Sequence, residues 1–242
     1  MIAAGSADAR LQARPETPPV VETRWALLDV RAEEQARLGA LLDAEELGRA
    51  GEFRDALDRG RFIVRRGRLR ELLAARLGCA PREVQIARND FGKPFVEGAP
   101  FRFNLSHSCG LAFYVVAEDR EVGCDIEWRR PQVASREAAE RLFSAHETRL
   151  LEATPPDRWA EAFFNCWTRK EAFIKAVGLG LSYPLKDFDV SVAPGEPAAL
   201  LRGPPGWSLR AFQPLAGLHV AIASRLCPRI PTDTSQLQSN QG

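Results

Sequence analysis

Asp125 and Glu127 are two acidic residues whose spacing suits metal binding or catalysis. They lie in a predicted strand over 122–128, where alternation turns both carboxylates to one face and Cys124 and Ile126 to the core. Two carboxylates roughly 7 Å apart repel each other unless a cation lies between them. Oxygen ligands of this kind suit Mg²⁺. A solvated strand face is the alternative interpretation, and the pattern by itself does not decide between them.

Glu171 and Lys175 form a second pair, four residues apart on a helix predicted over 158–177. Residues at this spacing share one helix face, so a surface ion pair is the simplest interpretation. The apolar side chains Trp167 and Ile174 flank the same stripe. They indicate a packed helix with Glu171 at the edge of a cleft.

Two further segments could bind an anion. Ser106 and His107 follow an alternating strand, where hydroxyl, imidazole and backbone N–H groups can all donate to a phosphate. The stretch 49–70 holds eight arginines against three acidic residues. Arg61, Arg65 and Arg68 share one stripe of its predicted helix, so the stretch is either a solvated basic face or a phosphate-binding surface.

Bulk properties limit the class of protein. The 242 residues carry a net charge of +1, which gives no general attraction to nucleic acid or membrane surfaces. Five cysteines without regular spacing do not describe a disulfide framework or a zinc site. No secretory signal and no apolar run of about 18–20 residues is recognised. We therefore expect a cytoplasmic protein that does not bind nucleic acid or membranes.

The pattern of elements predicts an α+β fold. Two similar subdomains, 21–128 and 129–227, would each pack helices on a small, mostly antiparallel sheet, with a pseudo-twofold relation between them. Residues 1–20 and 228–242 lack apolar periodicity and are predicted to be disordered. The helices are predicted over 33–42, 43–50, 55–77, 135–143, 145–152 and 158–177. The strands are predicted over 25–30, 84–87, 101–105, 111–117, 122–128, 187–193, 198–202, 207–213 and 218–225.

The order of the motifs is more specific than any one of them. A Phe-Gly-Lys-Pro turn at 91–94, Asn-Leu-Ser-His-Ser at 104–108, Gly-Cys-Asp-Ile-Glu at 123–127 and Trp-Thr-Arg-Lys-Glu at 167–171 follow one another. Over residues 45–192 this series resembles the surfactin-type branch of the 4′-phosphopantetheinyl transferase superfamily. The resemblance implies a monomeric, pseudo-twofold enzyme. Such an enzyme transfers the 4′-phosphopantetheine group of coenzyme A to a serine of an acyl or peptidyl carrier protein and releases 3′,5′-adenosine bisphosphate.

The resemblance also implies roles for individual residues. Mg²⁺, or Mn²⁺, would be held by Asp125, Glu127 and Glu171. Lys175 and Lys170 would contact the coenzyme A pyrophosphate, and the base would be Glu147, or Glu171 acting through water. The 3′-phosphate would be bound by Ser106, His107, Arg49 and Arg61, and the adenine pocket would be lined by Gly92, Lys93 and Pro94.

Two residues depart from the family pattern. Cys109 stands where a glycine is usual, and Glu46 stands where a basic residue often precedes the equivalent of Arg49. The partner expected is a carrier protein of polyketide, nonribosomal peptide or fatty-acid biosynthesis. The alternative functions are a non-catalytic relative that binds coenzyme A or carrier proteins, and a different Mg²⁺-dependent phosphohydrolase or nuclease.

Overall fold

The computed structural model describes residues 21–227, without the side chain of residue 181. The two terminal segments predicted to be disordered, 1–20 and 228–242, lie outside this range. Among the described residues, no helix combines the length and the apolar character needed to cross a bilayer.

The first half of the fold packs three helices on a three-stranded antiparallel sheet. Its sheet has the order β1-β5-β4, and β2 and β3 form a separate two-stranded ribbon. The elements are β1 (Glu22–Leu27), α1 (Ala32–Gly39), α2 (Ala44–Gly51), α3 (Ala56–Leu77), β2 (Ala87–Arg88), β3 (Pro94–Phe95), β4 (Phe101–Ser108) and β5 (Leu111–Glu118).

The second half repeats this plan. Its sheet has the order β6-β10-β9, with β7 and β8 as a second ribbon. The elements are β6 (Arg120–Trp128), α4 (Arg136–Leu142), α5 (Ala145–Glu152), α6 (Trp159–Val177), β7 (Asp189–Val190), β8 (Leu200–Arg202), β9 (Trp207–Leu215) and β10 (Leu218–Leu226).

The two halves have the same order of elements and the same pairing. In each half the first strand pairs with the last, and the last pairs with the one before it. This confirms the α+β prediction, and the repeated topology agrees with the predicted pseudo-symmetry. The sequence-based boundary after residue 128 assigned β6 to the first half, but the backbone of β6 pairs with β10. The repeat therefore begins at β6. The sequence did not indicate this boundary, because a strand's pairing partner cannot be read from its own residues.

Each half has one long helix that ends at a glycine in the left-handed region. Gly78 follows α3 with φ 67°, and Gly178 follows α6 with φ 81°. A residue without a Cβ adopts this conformation readily and stops the helix. The two glycines thus give a register between the halves, in which Arg70 of α3 corresponds to Lys170 of α6.

These two cations make the same buried ion pair. Arg70 Nε donates to Glu46 at 2.6 Å, and Lys170 Nζ donates to Glu147 at 2.7 Å. Glu46 and Glu147 are both the third residue of a helix, where each closes a capping box with the residue before that helix. The pair therefore joins a short helix to the long helix in both halves.

Some predicted strands are shorter in the structure. The strand predicted over 84–87 begins only at Ala87, because a short 3₁₀ turn at Pro81–Glu83 precedes it and the Val84 carbonyl accepts a hydrogen bond from Arg70 Nη1 at 3.0 Å. The strand predicted over 187–193 is reduced to the two residues of β7. Carbonyls in both regions accept hydrogen bonds from side chains instead of from a neighbouring strand. Alternation in the sequence does not reveal such bonds.

A shared core joins the halves. Phe113, Val115 and Ala117 of β5 pack with apolar residues of the second sheet, namely Val122, Cys124, Ile126, Leu218, Val220 and Ile222. Burial of this cluster confirms that Cys124 and Ile126 face the core. Asp125 and Glu127 are thereby turned to the opposite face, toward α6.

Candidate functional site

The seam between the halves runs along β4 and β6. Three polar side chains of β4 cross it: Asn104 Oδ1 accepts from the Cys124 backbone N–H at 3.0 Å, Ser106 Oγ donates to Asp125 Oδ1 at 2.7 Å, and Ser108 Oγ donates to Glu127 Oε2 at 2.9 Å. Residue numbers rise together along both strands, so the strands run parallel here. Side chains, rather than a backbone ladder, therefore align the halves at this seam.

A cavity of about 340 Å³ opens over this seam, beside α6. It brings together most of the predicted site: it is lined by Arg65, Leu105, Ser106, His107, Asp125, Glu127, Trp167, Glu171 and Lys175. The strand pair Asp-x-Glu and the helix pair Glu-x-x-x-Lys meet in it, although 44 residues separate Glu127 from Glu171 in the sequence.

Lys175 is tied to the most buried carboxylate of the cavity. Its Nζ lies 2.5 Å from Asp125 Oδ1, 3.2 Å from Ser106 Oγ and 3.9 Å from Glu171 Oε2. Burial opposes its charge, yet the neighbouring carboxylates Asp125 and Glu171 raise the pKa of Lys175 overall. The ammonium is therefore charged at neutral pH, and Asp125 and Ser106 determine where it lies.

The three carboxylates repel one another in this cavity. Burial, followed by the charge of Asp125, raises the pKa of Glu127. Burial and the charges of Asp125 and Glu127 raise the pKa of Glu171 to about 7, although Lys175 acts in the opposite direction. The single positive charge of Lys175 does not neutralise the three carboxylates. The cluster therefore lacks positive charge.

The donor set fits a hard divalent cation. Asp125 is only 3% exposed, and its Oδ2 has no hydrogen-bond partner among the described residues. A buried carboxylate oxygen without a partner is costly unless a ligand satisfies it. Within residues 21–227 no cluster of three or more His, Cys, Asp or Glu side chains is itself arranged as a metal site. Mg²⁺ is commonly bound by one or two carboxylates together with water and substrate phosphates.

The opposite wall of the cavity is positive. His107 is flanked by Arg65, Lys175 and Arg61, and desolvation together with these charges lowers the pKa of His107 to about 4. Its imidazole is therefore neutral at pH 7. An anion bound beside it would reverse this effect and favour the protonated form.

Arg65 is the most distinctive cation of this wall. Its Nε is buried without a hydrogen-bond partner in the described part of the chain, and its guanidinium carbon lies 5.4 Å from the centre of the Phe62 ring. Burial, together with the neighbouring Arg66 and Arg49, lowers the pKa of Arg65 to about 10. An incompletely satisfied guanidinium in a cavity is a ready ligand for a phosphate.

The two arginines predicted to bind phosphate differ in their surroundings. Arg49 is exposed in the last turn of α2, close enough for its charge to act on Arg65. Arg61 forms a two-pronged ion pair with Asp29, at 2.7 and 2.8 Å. The predicted phosphate contact by Arg61 therefore competes with an existing partner.

Ser106 also differs from its predicted role. Its single hydroxyl hydrogen is donated to Asp125 Oδ1, and its oxygen accepts from Lys175. The hydroxyl is thus committed to holding a carboxylate and an ammonium in place. A direct contact with an anion does not fit this arrangement.

The Gly92-Lys93-Pro94 turn lines a neighbouring cavity of about 220 Å³ at the C-terminal end of α6. Leu105 and Lys175 line both cavities, so the two are adjacent. Asn89 holds the turn: its Nδ2 donates to the Gly178 carbonyl at 2.8 Å, and its Oδ1 accepts from the Lys93 backbone N–H at 2.8 Å. Lys93 Nζ donates to Glu121 and to the Ala176 carbonyl.

Glu147 and Lys170 lie outside this site. Both side chains are fully buried, and they pair with each other. Glu147 also accepts from the backbone N–H groups of Ser144 and Val190, and Lys170 Nζ donates to the Phe188 carbonyl. The predicted roles of Glu147 as base and of Lys170 as a pyrophosphate contact do not fit, because neither group reaches the cavity.

Both departures from the family pattern have structural explanations. Glu46 is buried and accepts from Arg66 and Arg70, so it anchors α2 rather than leaving a gap in a phosphate site. Cys109 forms the β4–β5 turn with Gly110, and its φ is 44°. This left-handed conformation explains why a glycine is usual there.

Three residues of the site were not assigned by sequence. Arg65 was recognised only as part of a basic stripe, one turn after Arg61. Trp167 was seen as an apolar flank of Glu171, and it forms a wall of the cavity. Asn89 precedes the Gly-Lys-Pro turn, but nothing in the sequence indicates that it reaches Gly178.

Comparison with known proteins identifies the family of this chain. Residues 121–223 match the model of the 4′-phosphopantetheinyl transferase superfamily. The 4′-phosphopantetheinyl transferase HetI of Nostoc sp. is 36% identical over 205 residues, which cover 82% of this chain and 85% of that protein. The 4′-phosphopantetheinyl transferase Sfp of Bacillus subtilis is 30% identical over 159 residues, covering 65% of this chain and 70% of that one.

A solved holo-(acyl-carrier-protein) synthase from Bacillus anthracis, crystallised in complex with coenzyme A (3′,5′-ADP), aligns with a TM-score of 0.39 at 20% identity. The alignment covers 45% of this chain and 96% of the synthase chain. The relation to HetI, over most of both sequences, shows the family. The chain belongs to the 4′-phosphopantetheinyl transferase superfamily.

Proposed function

We propose that this protein transfers the 4′-phosphopantetheine group of coenzyme A to a serine of an acyl or peptidyl carrier protein and releases 3′,5′-adenosine bisphosphate. One observation carries the proposal: Asp125, Glu127, Glu171 and Lys175 meet in one cavity whose other wall carries Arg65 and His107. Carboxylates for a divalent ion next to cations for phosphates are what phosphoryl transfer requires.

Asp125, Glu127 and Glu171 would hold Mg²⁺ or Mn²⁺. The support is the unpartnered Oδ2 of Asp125 and the raised pKa values of the two glutamates. When bound, the ion would neutralise charge on the pyrophosphate of coenzyme A and polarise its phosphorus–oxygen bonds.

The carrier serine loses a proton as its oxygen bonds to the phosphorus that bears pantetheine, and the bond from that phosphorus to 3′,5′-adenosine bisphosphate breaks. Glu171 is the candidate base, acting through a water molecule, because it lines the cavity and Glu147 does not. Lys175 lies where it can offset charge on the departing phosphate. Ser106 positions both Asp125 and Lys175.

Coenzyme A would extend along both cavities. Its adenine would occupy the cavity at the C-terminal end of α6, against Gly92, Lys93, Pro94 and Ile174. The 3′-phosphate would bind the positive wall formed by Arg65 and His107, with Arg49 at the rim. The neutral imidazole of His107 can donate one N–H to this phosphate.

We also propose that the protein acts as a monomer in the cytoplasm. Every side chain of the proposed site comes from one chain, because the repeat supplies β4 from one half and β6 and α6 from the other. All five cysteines are free, which fits a reducing compartment.

The deciding experiment is mass spectrometry of an apo carrier protein incubated with the protein, coenzyme A and Mg²⁺. We expect the carrier to gain the mass of phosphopantetheine, and the gain to be lost in EDTA. Glu171→Gln should abolish the gain, whereas Glu161→Gln, a change on the same helix outside the cavity, should not. Binding of coenzyme A without transfer to any of several carriers would instead support the non-catalytic alternative.

A further inference from the structure

A separate cavity of about 410 Å³ lies on the other flank of α6. It is enclosed by the N-terminal half of α6, the start of β10, the middle of β9 and the loop around residues 195–198. It shares no lining residue with the two cavities of the proposed transferase site. Its volume is within the range of small-molecule sites.

His219 lines this cavity, and one of its ring nitrogens is buried without a partner among the described residues. Its side chain is 1% exposed, and its Nε2 has no partner among the described residues. Its Nδ1 lies 3.0 Å from Asn165 Oδ1, and Asn165 Nδ2 donates in turn to the Val192 carbonyl at 3.4 Å. Because Asn165 Oδ1 only accepts, Nδ1 carries the hydrogen, and Nε2 is left as an acceptor.

The protonation state agrees with that assignment. Burial, followed by the charge of Arg129, lowers the pKa of His219 to about 4, so the ring is neutral at pH 7. A buried acceptor without a donor is unfavourable. An occupant of the cavity that carries an N–H or O–H group would remove that penalty.

Arg169 supplies the complementary atom. It is 4% exposed and lines the same cavity, and its Nε also lacks a partner among residues 21–227. Its Nη1 donates to the carbonyl and hydroxyl of Ser191, at 2.7 and 2.8 Å, and its Nη2 donates to the Glu196 carbonyl. The guanidinium is therefore held in one orientation, and its Nε–H is left without an acceptor in the described part of the chain.

The internal repeat relates this cavity to the transferase site. Counted back from the glycines that end the long helices, Asn165 corresponds to Arg65. Counted from the glycines of the two hairpin turns, Gly110 and Gly217, Val220 corresponds to Phe113, so their strand partners Phe212 and Ser106 correspond as well. The cavity is thus the counterpart of the wall that carries Arg65 in the transferase site, with an amide in place of the cation.

We propose that this cavity binds a small neutral molecule through a planar amide group, whose N–H donates to His219 Nε2 and whose carbonyl accepts from Arg169 Nε. The ionisable side chains that line the cavity add no net formal charge, because Arg158 and Arg169 are matched by Glu161 and Glu196. A carboxylate is disfavoured, since one of its oxygens would face the lone pair of His219 Nε2. The proposal does not depend on the transferase activity.

Benzamide and benzoate test this proposal, because they have the same ring and differ in whether they donate a hydrogen bond. The full-length protein, with ¹⁵N-labelled histidine, is titrated with each compound while the imidazole nitrogen signals are recorded by NMR. We expect benzamide to shift the Nε2 signal of His219 saturably at millimolar concentration, and benzoate to leave it unchanged. No shift with benzamide, or equal shifts with both, would overturn the proposal.

Three further measurements locate the binding. Saturating coenzyme A should leave the benzamide shift intact, since the transferase site is separate, and displacement by coenzyme A would contradict the assignment. Ala198→Leu narrows the cavity and leaves His219 and Arg169 unchanged. It should weaken the binding of benzamide at least tenfold. A crystal soaked in benzamide that shows only water between His219 and Arg169 would also refute the proposal.

Discussion

Gly123 of β6 lies directly against Ala176 of α6: a Cβ on residue 123 would stand 2.2 Å from the Ala176 backbone nitrogen and 2.3 Å from the Ala172 carbonyl oxygen. Both atoms belong to the helix backbone and cannot move aside as a flexible side chain would. The contact sets the distance between the strand that carries Asp125 and the helix that carries Glu171 and Lys175.

Gly123→Ala should therefore separate strand and helix and damage the site. We expect a loss of about 1–3 kcal/mol in the free energy of unfolding, typical of an overpacked core. Phosphopantetheine transfer should fall at least tenfold, because a shift of about 1 Å in catalytic groups has effects of that size. Chemical unfolding and carrier modification assays measure the two effects.

Gly48→Ala is the matched control. A Cβ at this position of α2 meets nothing within 4 Å, and alanine favours helices over glycine by about 1 kcal/mol. The control should be as stable as the parent or more so. Unchanged stability and transfer in Gly123→Ala would show that the strand–helix distance is not critical.

Arg65→Ala should weaken the binding of coenzyme A much more than the binding of 3′-dephospho-coenzyme A. A charged hydrogen bond contributes about 1.5–3 kcal/mol, so KM for coenzyme A should rise roughly ten- to hundredfold. KM for the dephospho compound should change less than about threefold. Arg68→Ala, which removes an arginine paired with Glu34 and Glu71, is the control and should leave both values unchanged. Equal effects on both substrates would remove Arg65 from the 3′-phosphate site.

Lys170→Met should destabilise the fold and leave coenzyme A binding intact. Removing one partner of a buried ion pair leaves an uncompensated charge, which typically lowers stability by about 3–5 kcal/mol. The double variant with Glu147→Gln should be less destabilised than the sum of the single variants. Chemical unfolding of the four proteins measures this coupling. A large rise in KM for coenzyme A without loss of stability would restore Lys170 to the binding site.

Acid should destabilise the protein partly through His219. Its pKa is about 4 in the fold, against 6.5 for an ordinary histidine, so the unfolded chain binds the proton more tightly. The contribution is therefore fully present above pH 6.5 and is lost as pH falls toward 4. It amounts to roughly 3 kcal/mol. His219→Gln should flatten the dependence of unfolding free energy on pH between 6.5 and 4, and His146→Gln, a change at an exposed imidazole, is the control.

Cys109→Gly should stabilise the β4–β5 turn. The left-handed conformation of Cys109 is unfavourable by roughly 1–2 kcal/mol for a residue with a Cβ, and part of that gain is offset by the greater freedom of glycine in the unfolded chain. The net increase should be about 0.5–1 kcal/mol, measured as a higher Tm. Cys109→Ala removes the thiol and keeps the Cβ, so it should give no increase. An equal gain in both variants would assign the effect to the thiol.

The long helices and the main strands could be predicted because their patterns are local. Gly78 and Gly178 end α3 and α6, and alternation along β6 separates Cys124 and Ile126 from Asp125 and Glu127. The short ribbons could not be predicted, because β7 and the region before β2 depend on which carbonyls bond to side chains. Arg70, for example, takes the carbonyl of Val84.

The site was predictable where residue types repeat a known order and unpredictable where burial decides the role. Asp125, Glu127, Glu171, Lys175 and His107 all reach the cavity. Glu147 and Lys170 have equally suitable chemistry, but they satisfy each other in the interior. The charge of Arg65 is visible in the sequence, whereas its missing partner is a property of the packed structure alone.

The buried pair of a capping glutamate and a long-helix cation occurs twice, as Glu46–Arg70 and Glu147–Lys170. Each half therefore carries its own cross-link between a short helix and the long helix, and neither cross-link spans the seam between the halves.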